Sequence, residues 1–329
     1  MKKIILTIIA FLALITCGGT LYFYATFPKV ESAPKISVQR TPQQVARGKY
    51  LAKHVSVCID CHSTRDWSKF SGPVTPGTIG KGGERFDQKM GLPGTFISRN
   101  ITPYNLQDWT DGEIYRAITT GVTKEGNALF PVMPYPVYGK MDPRDVKAII
   151  AYIRTLSPII YDPPKSEPQF PMNIILQTIP KPAAPQSRPS PEDTVAYGKY
   201  MVTIAGCGEC HTPQNQGQQI KGMYLAGGSE YQMPFGIIRS ANITPDNDTG
   251  IGDWTQQKFI NQFKQYDVPI DSLPTVSNDD FNSIMPWKMY AGMKVQDLKA
   301  IYAYLKTIPA VKHDVNKFVP NTELAASQK

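Results

Sequence analysis

Cysteine and histidine are scarce in this chain, five and four among 329 residues. Most of them fall into two short strings, Cys58-Ile59-Asp60-Cys61-His62 and Cys207-Gly208-Glu209-Cys210-His211. Both read C-x-x-C-H. Two cysteines three apart on a helical turn can each add to one vinyl group of a single haem, and the next histidine then offers a ring nitrogen to the iron. The strings therefore predict two covalently bound haem c groups, held by Cys58 and Cys61 and by Cys207 and Cys210, with His62 and His211 as iron ligands. Structural zinc is the competing reading, but it usually takes four Cys/His ligands in one cluster, and each string offers three. The fifth cysteine, Cys17, lies in an apolar N-terminal segment. None is left for a structural disulfide or a catalytic thiol.

The second axial ligand decides what each iron does. Methionine closes the iron and raises its potential, which suits electron transfer; an open face suits peroxide or small-ligand chemistry. Met133 and Met285 are the candidates. Both stand before proline in a loop ahead of a final helix, where proline can fix the loop and present the sulfur across the haem from the histidine. Most methionines merely fill cores, and this chain has 11, but these two recur at matched places. Met141, Met289 and Met293 are the runners-up. His54 sits one turn before Cys58 at a poor angle for the far face, and His313 follows the last helix; both read as surface or supporting residues.

The elements that position these groups come in duplicate, with a period near 150 residues. Val45-Ala46-Arg47-Gly48-Lys49-Tyr50 matches Val195-Ala196-Tyr197-Gly198-Lys199-Tyr200, and the haem strings follow. Asn100-Ile101-Thr102-Pro103 matches Asn242-Ile243-Thr244-Pro245, and Asp108-Trp109-Thr110 matches Asp253-Trp254-Thr255. Met133-Pro134-Tyr135 matches Met285-Pro286-Trp287, and Asp145 to Ile149 matches Asp297 to Ile301. The chain is thus mainly α, with two tandem domains at 43–157 and 192–313. In each, a first helix (42–56, 191–205) leads into the haem string. A middle helix follows the Trp-Thr pair, capped by Asp111 or by Thr110 and Thr255. A last helix starts near Pro143 or Val295, with apolar positions Val146, Ile149, Ile150, Ile153, Leu156 and Leu298, Ile301, Tyr302, Leu305, Ile308 on one face. Gly48 and Gly198 predict close crossing of first and last helices. Trp109 and Trp254 read as core aromatics, and Asn100 and Asn242 as loop fixers through side-chain to backbone bonds. Arg99 and Arg239 read either as partners of haem propionates or as solvated arginines.

Residues 1–27 form an apolar segment behind Met1-Lys2-Lys3, uncharged from Ile4 to Phe27 and long enough to cross a bilayer. It reads as an uncleaved signal anchor with the rest of the chain outside the cytoplasm; lipidation at Cys17 or plain cleavage are the alternatives. Residues 28–42 form a tether. Residues 158–191 are a proline-rich linker whose apolar part, Pro168 to Pro180, is expected to pack on the chain's own domains. Residues 314–329 read as a polar tail. The net charge is +8, but two haems would add four propionates, and no Lys/Arg run tracks a phosphate backbone, so nucleic acid is not a partner.

The strings Asn242-Ile243-Thr244-Pro245-Asp246, Thr249-Gly250-Ile251-Gly252-Asp253-Trp254-Thr255, Met285-Pro286 and Ala300-Ile301-Tyr302-Ala303-Tyr304-Leu305 resemble the multi-haem cytochrome c subunits of bacterial membrane-bound dehydrogenases, of the alcohol and gluconate dehydrogenase type. The first copy keeps Asn100 to Pro103 and Trp109-Thr110 but lacks the Thr-Gly-Ile-Gly stretch. The resemblance implies class I-like cytochrome c domains with His/Met ligation and relay of electrons between a membrane-bound dehydrogenase or quinol oxidoreductase and a terminal oxidase in the periplasm. Such subunits often carry three haems and a C-terminal anchor; this chain shows two and an N-terminal one. An electron carrier is the expected function. A dihaem enzyme, peroxidase-like or oxidising a small anion, is the alternative.

Overall fold

The computed structural model describes residues 2–215, 217–277 and 280–323. It begins with α1 (Lys2–Thr26), a 25-residue apolar helix with no buried residue. Beyond it the chain is helix-rich, and two similar sets of helices follow. The first set is α2 (Pro42–Tyr50), α3 (Cys58–Cys61), α4 (Asp111–Thr120) and α5 (Pro143–Ile153). The second is α6 (Thr194–Ile204), α7 (Cys207–His211), α8 (Gln256–Lys264) and α9 (Val295–Leu305).

The expected helix ends hold, because they rest on local chemistry. Thr110 caps α4 in a full capping box with Glu113, and Thr255 caps α8 by accepting from Lys258 N–H. Asp111, the other cap candidate, lies inside α4 and pairs with Arg154. The apolar stripes of α5 and α9 are core: Val146, Ile149, Ile150 and Ile153 are buried, as are Leu298, Ile301 and Leu305. Each last helix crosses the first helix of its own set at glycine. A Cβ on Gly48 would meet Ala148 O at 1.7 Å, and one on Gly198 would meet Ala300 O at 1.9 Å. Any other residue would force these backbones apart. The first helix departs from expectation after Tyr50, where Leu51–Val55 widen into a π-helical turn.

Each set also closes with a small antiparallel sheet. In the first, β1 (Arg85–Phe86) pairs with β2 (Gly94–Ile97), and β2 pairs with β3 (Glu167–Pro168). In the second, β4 (Glu230–Met233) pairs with β5 (Gly236–Arg239), and β5 with β6 (Phe318–Pro320). The repeat thus runs further than its landmarks suggest. The start of the linker and residues 318–320 of the tail add the last strand of each sheet, while residues 324–329 lie outside the described part. Such strands are too short to show a period. Within the linker the apolar stretch behaves differently from expectation: Leu176 is buried at 6% exposure, but Phe170 is 79% exposed, and Ile174 and Ile175 are also exposed. Of the six apolar side chains from Phe170 to Ile179, Leu176 alone is buried, and Met172 and Ile179 are half-buried.

The two sets meet through a reciprocal exchange. Tyr50, at the end of α2, donates its hydroxyl to Asp297 on α9. Tyr200 on α6 donates to Asp145 on α5 at 2.8 Å. Both aspartates are buried. Each also takes a bond from its own set: Arg47 donates to Asp145 through Nε at 3.1 Å and Nη2 at 2.8 Å, and Tyr197, at the matched position, donates to Asp297 at 3.2 Å. His54 joins the seam by placing Nδ1 2.8 Å from Met289 O.

Candidate haem centres

Each C-x-x-C-H string is launched by a left-handed residue, Val57 at φ 43° and Gly206 at φ 68°. Valine is an uncommon occupant of that region, so the turn is held by its surroundings. It brings both cysteines onto one helical turn and the histidine just beyond or at its end. The packing around the sulfurs pushes the thiols of Cys58, Cys61 and Cys207 up to about 12. That is the reverse of a thiolate nucleophile. Among the described residues no group of three His, Cys, Asp or Glu converges on a metal-sized site.

The histidines are held alike. His62 Nδ1 lies 2.7 Å from Arg99 O, and His211 Nδ1 lies 2.7 Å from Ala241 O. Burial lowers the pKa of both rings, against the pull of that carbonyl bond. A neutral imidazole that donates from Nδ1 keeps a lone pair on Nε2, the arrangement a ligating histidine needs. The carbonyls sit just before Asn100 and Asn242. Each asparagine accepts from the N–H (2.9 Å) and hydroxyl (2.8 Å) of the threonine two residues on. Asn100 Nδ2 donates to Ile159 O and Tyr161 O, and Asn242 Nδ2 to Thr249 Oγ1 and Val311 O. One side chain thus ties the histidine-holding loop to the strand-bound end of each set. The expected loop role of the asparagines is met. The two carbonyls went unseen in the sequence because a backbone acceptor has no residue signature; their only mark is the place before Asn-Ile-Thr-Pro.

Met133 and Met285 sit in the same local fold. Pro134 (φ −77°, ψ 53°) and Pro286 (φ −77°, ψ 67°) are inverse γ-turn centres. The turn closes by Tyr135 N–H to Met133 O and Trp287 N–H to Met285 O, both at 2.7 Å. Proline supplies the required φ at no cost. Both methionines are half-buried against the core, as are Cys58 and Cys207, Ile101 and Ile243, Trp109 and Trp254, and Leu156 and Ile308. Apolar groups left half-covered at the same positions of both copies are what the edge and faces of a haem would cover. Tyr135 adds a buried hydroxyl with no hydrogen-bond partner, a donor suited to a propionate. The residues therefore fit haem c. Of the runners-up, Met141 and Met293 are fully buried and Met289 nearly so, in the core.

The remaining candidates are engaged elsewhere. Arg99 donates to Pro163 O at 3.3 Å, and Arg239 pairs with Glu230 at 2.8 Å. His313 places Nδ1 3.0 Å from Ala226 O and packs on Gly228, as Tyr161 packs on Gly83. The two strings also lie on one seam: Ser56, two residues before Cys58, donates to the carbonyl of Ile204, three before Cys207, at 3.0 Å.

No protein-family model matches the chain. Among curated proteins, the gluconate 2-dehydrogenase cytochrome c subunit of Pantoea cypripedii is 29% identical over 76% of this chain and 60% of its own length. The cytochrome c subunit of the quinone alcohol dehydrogenase of Gluconobacter oxydans is 27% identical over 83% of this chain and 56% of its own. The chain thus spans less than two thirds of these subunits. The dihaem c-type cytochrome of Cereibacter sphaeroides is 30% identical over 92% of this chain and 97% of its own length. With near-complete coverage in both directions and two like-held histidines in C-x-x-C-H strings, the chain belongs to the cytochrome c family that includes this protein.

Proposed function

We propose that this chain is a dihaem cytochrome c of two tandem class I-like domains, tethered by α1 to the cytoplasmic membrane with its haem domains in the periplasm, and that it relays electrons from a dehydrogenase toward a downstream acceptor. The observation that carries the reading is the twofold recurrence of one kit: a C-x-x-C-H histidine held through Nδ1 by a loop carbonyl, and a methionine ahead of a proline-centred γ-turn. Bound haem supplies a one-electron couple. The chain's own residues hold it by Cys58 and Cys61 and by Cys207 and Cys210, and fix the neutral tautomers of His62 and His211. Met133 and Met285 would supply the remaining iron ligands. Iron with both axial positions taken by protein would exclude substrate, which favours a carrier over a peroxidase-like enzyme. The Ser56 to Ile204 bond keeps the two strings on one seam, which favours passage between them. The dehydrogenase partner is supported by the relatives' names, and the anchor by the length and exposure of α1.

The test is a haem count with a spectral assay. Purified full chain should carry two haems, both low-spin at rest, and Met133→His or Met285→His should each abolish half of the methionine-to-iron charge-transfer band. A stable high-spin haem with rapid peroxide turnover would overturn the carrier reading in favour of the enzyme.

A further inference from the structure

The two methionine loops are alike in backbone but not in what holds them. The carbonyl of Met133 accepts from Tyr135 N–H. The carbonyl of Met285 accepts from Trp287 N–H and also from Ser71 Oγ, at 2.6 Å. Ser71 belongs to the other half of the chain. Its hydroxyl in turn accepts from Trp287 N–H at 2.9 Å, and its N–H donates to Asn282 Oδ1 at 2.7 Å. Asn282 Oδ1 also accepts from Ser283 N–H, and Ser283 Oγ from Met285 N–H at 3.1 Å. One buried serine thus sits inside the γ-turn that presents Met285.

Ser71 holds this place at φ +68°, a left-handed conformation that favours glycine. Glycine would suit the backbone better, so what serine adds is its hydroxyl. Its loop is fastened from behind by Arg65, whose Nη2 donates to Ser71 O at 3.1 Å and Nε to Gly72 O at 2.9 Å. Arg65 Nη1 lies 3.1 Å from Asp60, inside the first C-x-x-C-H string, with both side chains buried. Further bonds run alongside, from Phe70 N–H to Pro274 O at 2.8 Å and from Val276 N–H to Ser68 O at 2.9 Å. A continuous set of bonds therefore leads from the first haem string to the methionine loop of the second.

We propose that Ser71 is a positioning residue for the second haem: the first half of the chain, through Ser71, holds Met285 in place as the sixth ligand of the haem on Cys207 and Cys210. This rests on the His/Met reading above. Among the described residues Met133 has no such hold, so the two haems would differ in how firmly their methionines are kept.

The experiment is imidazole competition on the oxidised, haem-loaded full chain, followed by loss of the methionine-to-iron band. Met133→His and Met285→His assign the two binding phases. Ser71→Gly removes the hydroxyl and leaves the left-handed backbone unstrained. One hydrogen bond of about 1.4 kcal/mol corresponds to a factor of ten. Imidazole should therefore bind about tenfold more tightly at the Met285 phase and unchanged at the Met133 phase. An unchanged Met285 phase, or an equal shift in both, overturns the role of Ser71. If Met285→His leaves both phases in place, the ligand reading itself fails, and the proposal with it.

Discussion

The seam between the two halves can be broken at either of two buried aspartates, and the structure predicts that they are far from equal. Asp145 faces two arginines, Arg47 at 2.8 Å and Arg188 at 2.5 Å, besides the hydroxyl of Tyr200. Among the described residues, Asp297 faces only the hydroxyls of Tyr50 and Tyr197. Asp145→Asn leaves two cations without their counter-charge. Removing one partner of a buried pair costs about 3–5 kcal/mol, and the arginines here are 23% and 30% exposed, so the lower end, about 3 kcal/mol, applies. Asp297→Asn removes no ion pair. Its amide oxygen still accepts one phenol, and the loss is about one hydrogen bond, roughly 1 kcal/mol. Tyr200→Phe gives an intermediate case: it removes a charge-assisted bond and strands the N–H of Asp142, which donates to Tyr200 Oη at 3.2 Å, for about 2–3 kcal/mol. Burial and the adjacent aspartates raise the pKa of Tyr50 and Tyr200, so both phenols stay protonated as donors throughout the working pH range. Guanidinium unfolding of the haem-loaded chain measures the order of losses, and calorimetry of Asp145→Asn should show the single transition splitting in two as the halves uncouple. Equal losses from the two asparagine variants, or no loss from Asp145→Asn, would refute the reasoning.

Three more outcomes are expected. Gly198→Ala drives a Cβ into the backbone carbonyl of Ala300 and should cost about 3 kcal/mol or prevent accumulation of the haem-loaded protein, whereas Gly217→Ala, with open space around it, should cost only the strain of its positive φ, read as a shift in unfolding midpoint. Asn242→Ala strands the N–H of Thr244, leaves the carbonyl of Val311 with only the Thr244 hydroxyl, and frees the loop that holds His211; a loss of about 2 kcal/mol in the unfolding midpoint, with tighter imidazole binding at the second site only, checks it. Burial lowers the pKa of His54, with Lys53 and Lys264 pushing the same way and the bond to Met289 O and Asp267 opposing. The unfolded chain therefore takes up this proton first as pH falls. The stability is full above the ordinary value of 6.5 and is lost as pH drops toward the folded value. His54→Gln should flatten that part of the stability profile, measured by urea midpoints between about pH 7.5 and pH 5.

What could be read in the sequence was whatever is encoded locally or repeated. The caps Thr110 and Thr255, the starts of the last helices at Pro143 and Val295, and the crossing glycines all follow from residue type and spacing within a turn or two. The π-helical turn at Leu51–Val55 did not, since its residues carry the same periodicity as a regular helix. Strands β3 and β6 are two and three residues long, below the length at which alternation can register. The apolar run around Phe170 had the composition of a buried segment, but composition does not say whether a core is within reach. The seam was invisible for another reason. Tyr50 and Asp297 lie 247 residues apart, and a tyrosine at the end of a helix reads as a core aromatic until its hydroxyl is seen to cross.

The duplication explains the site only in part; its departures carry the rest. Two copies in equal surroundings would hold two haems of equal potential, and nothing in the chain would favour one as entry point. The copies are unequal in three places, two in the haem kit itself and one at the seam. Asp60 of the first string is paired with buried Arg65, while Glu209 of the second has no ion-pair partner among the described residues. Asp145 is neutralised by two arginines, while Asp297 rests on phenols. Met285 is held by a serine from the other half, while Met133 is held by its own turn. A carboxylate beside a haem would stabilise the oxidised iron, here against the pull of nearby Lys140, and a firmly held methionine would stabilise the reduced one. In the second half these two influences oppose each other. With two haems held as proposed, the potential of the second would depend on which of Glu209 and Ser71 dominates, and Glu209→Gln and Ser71→Gly should move it in opposite directions.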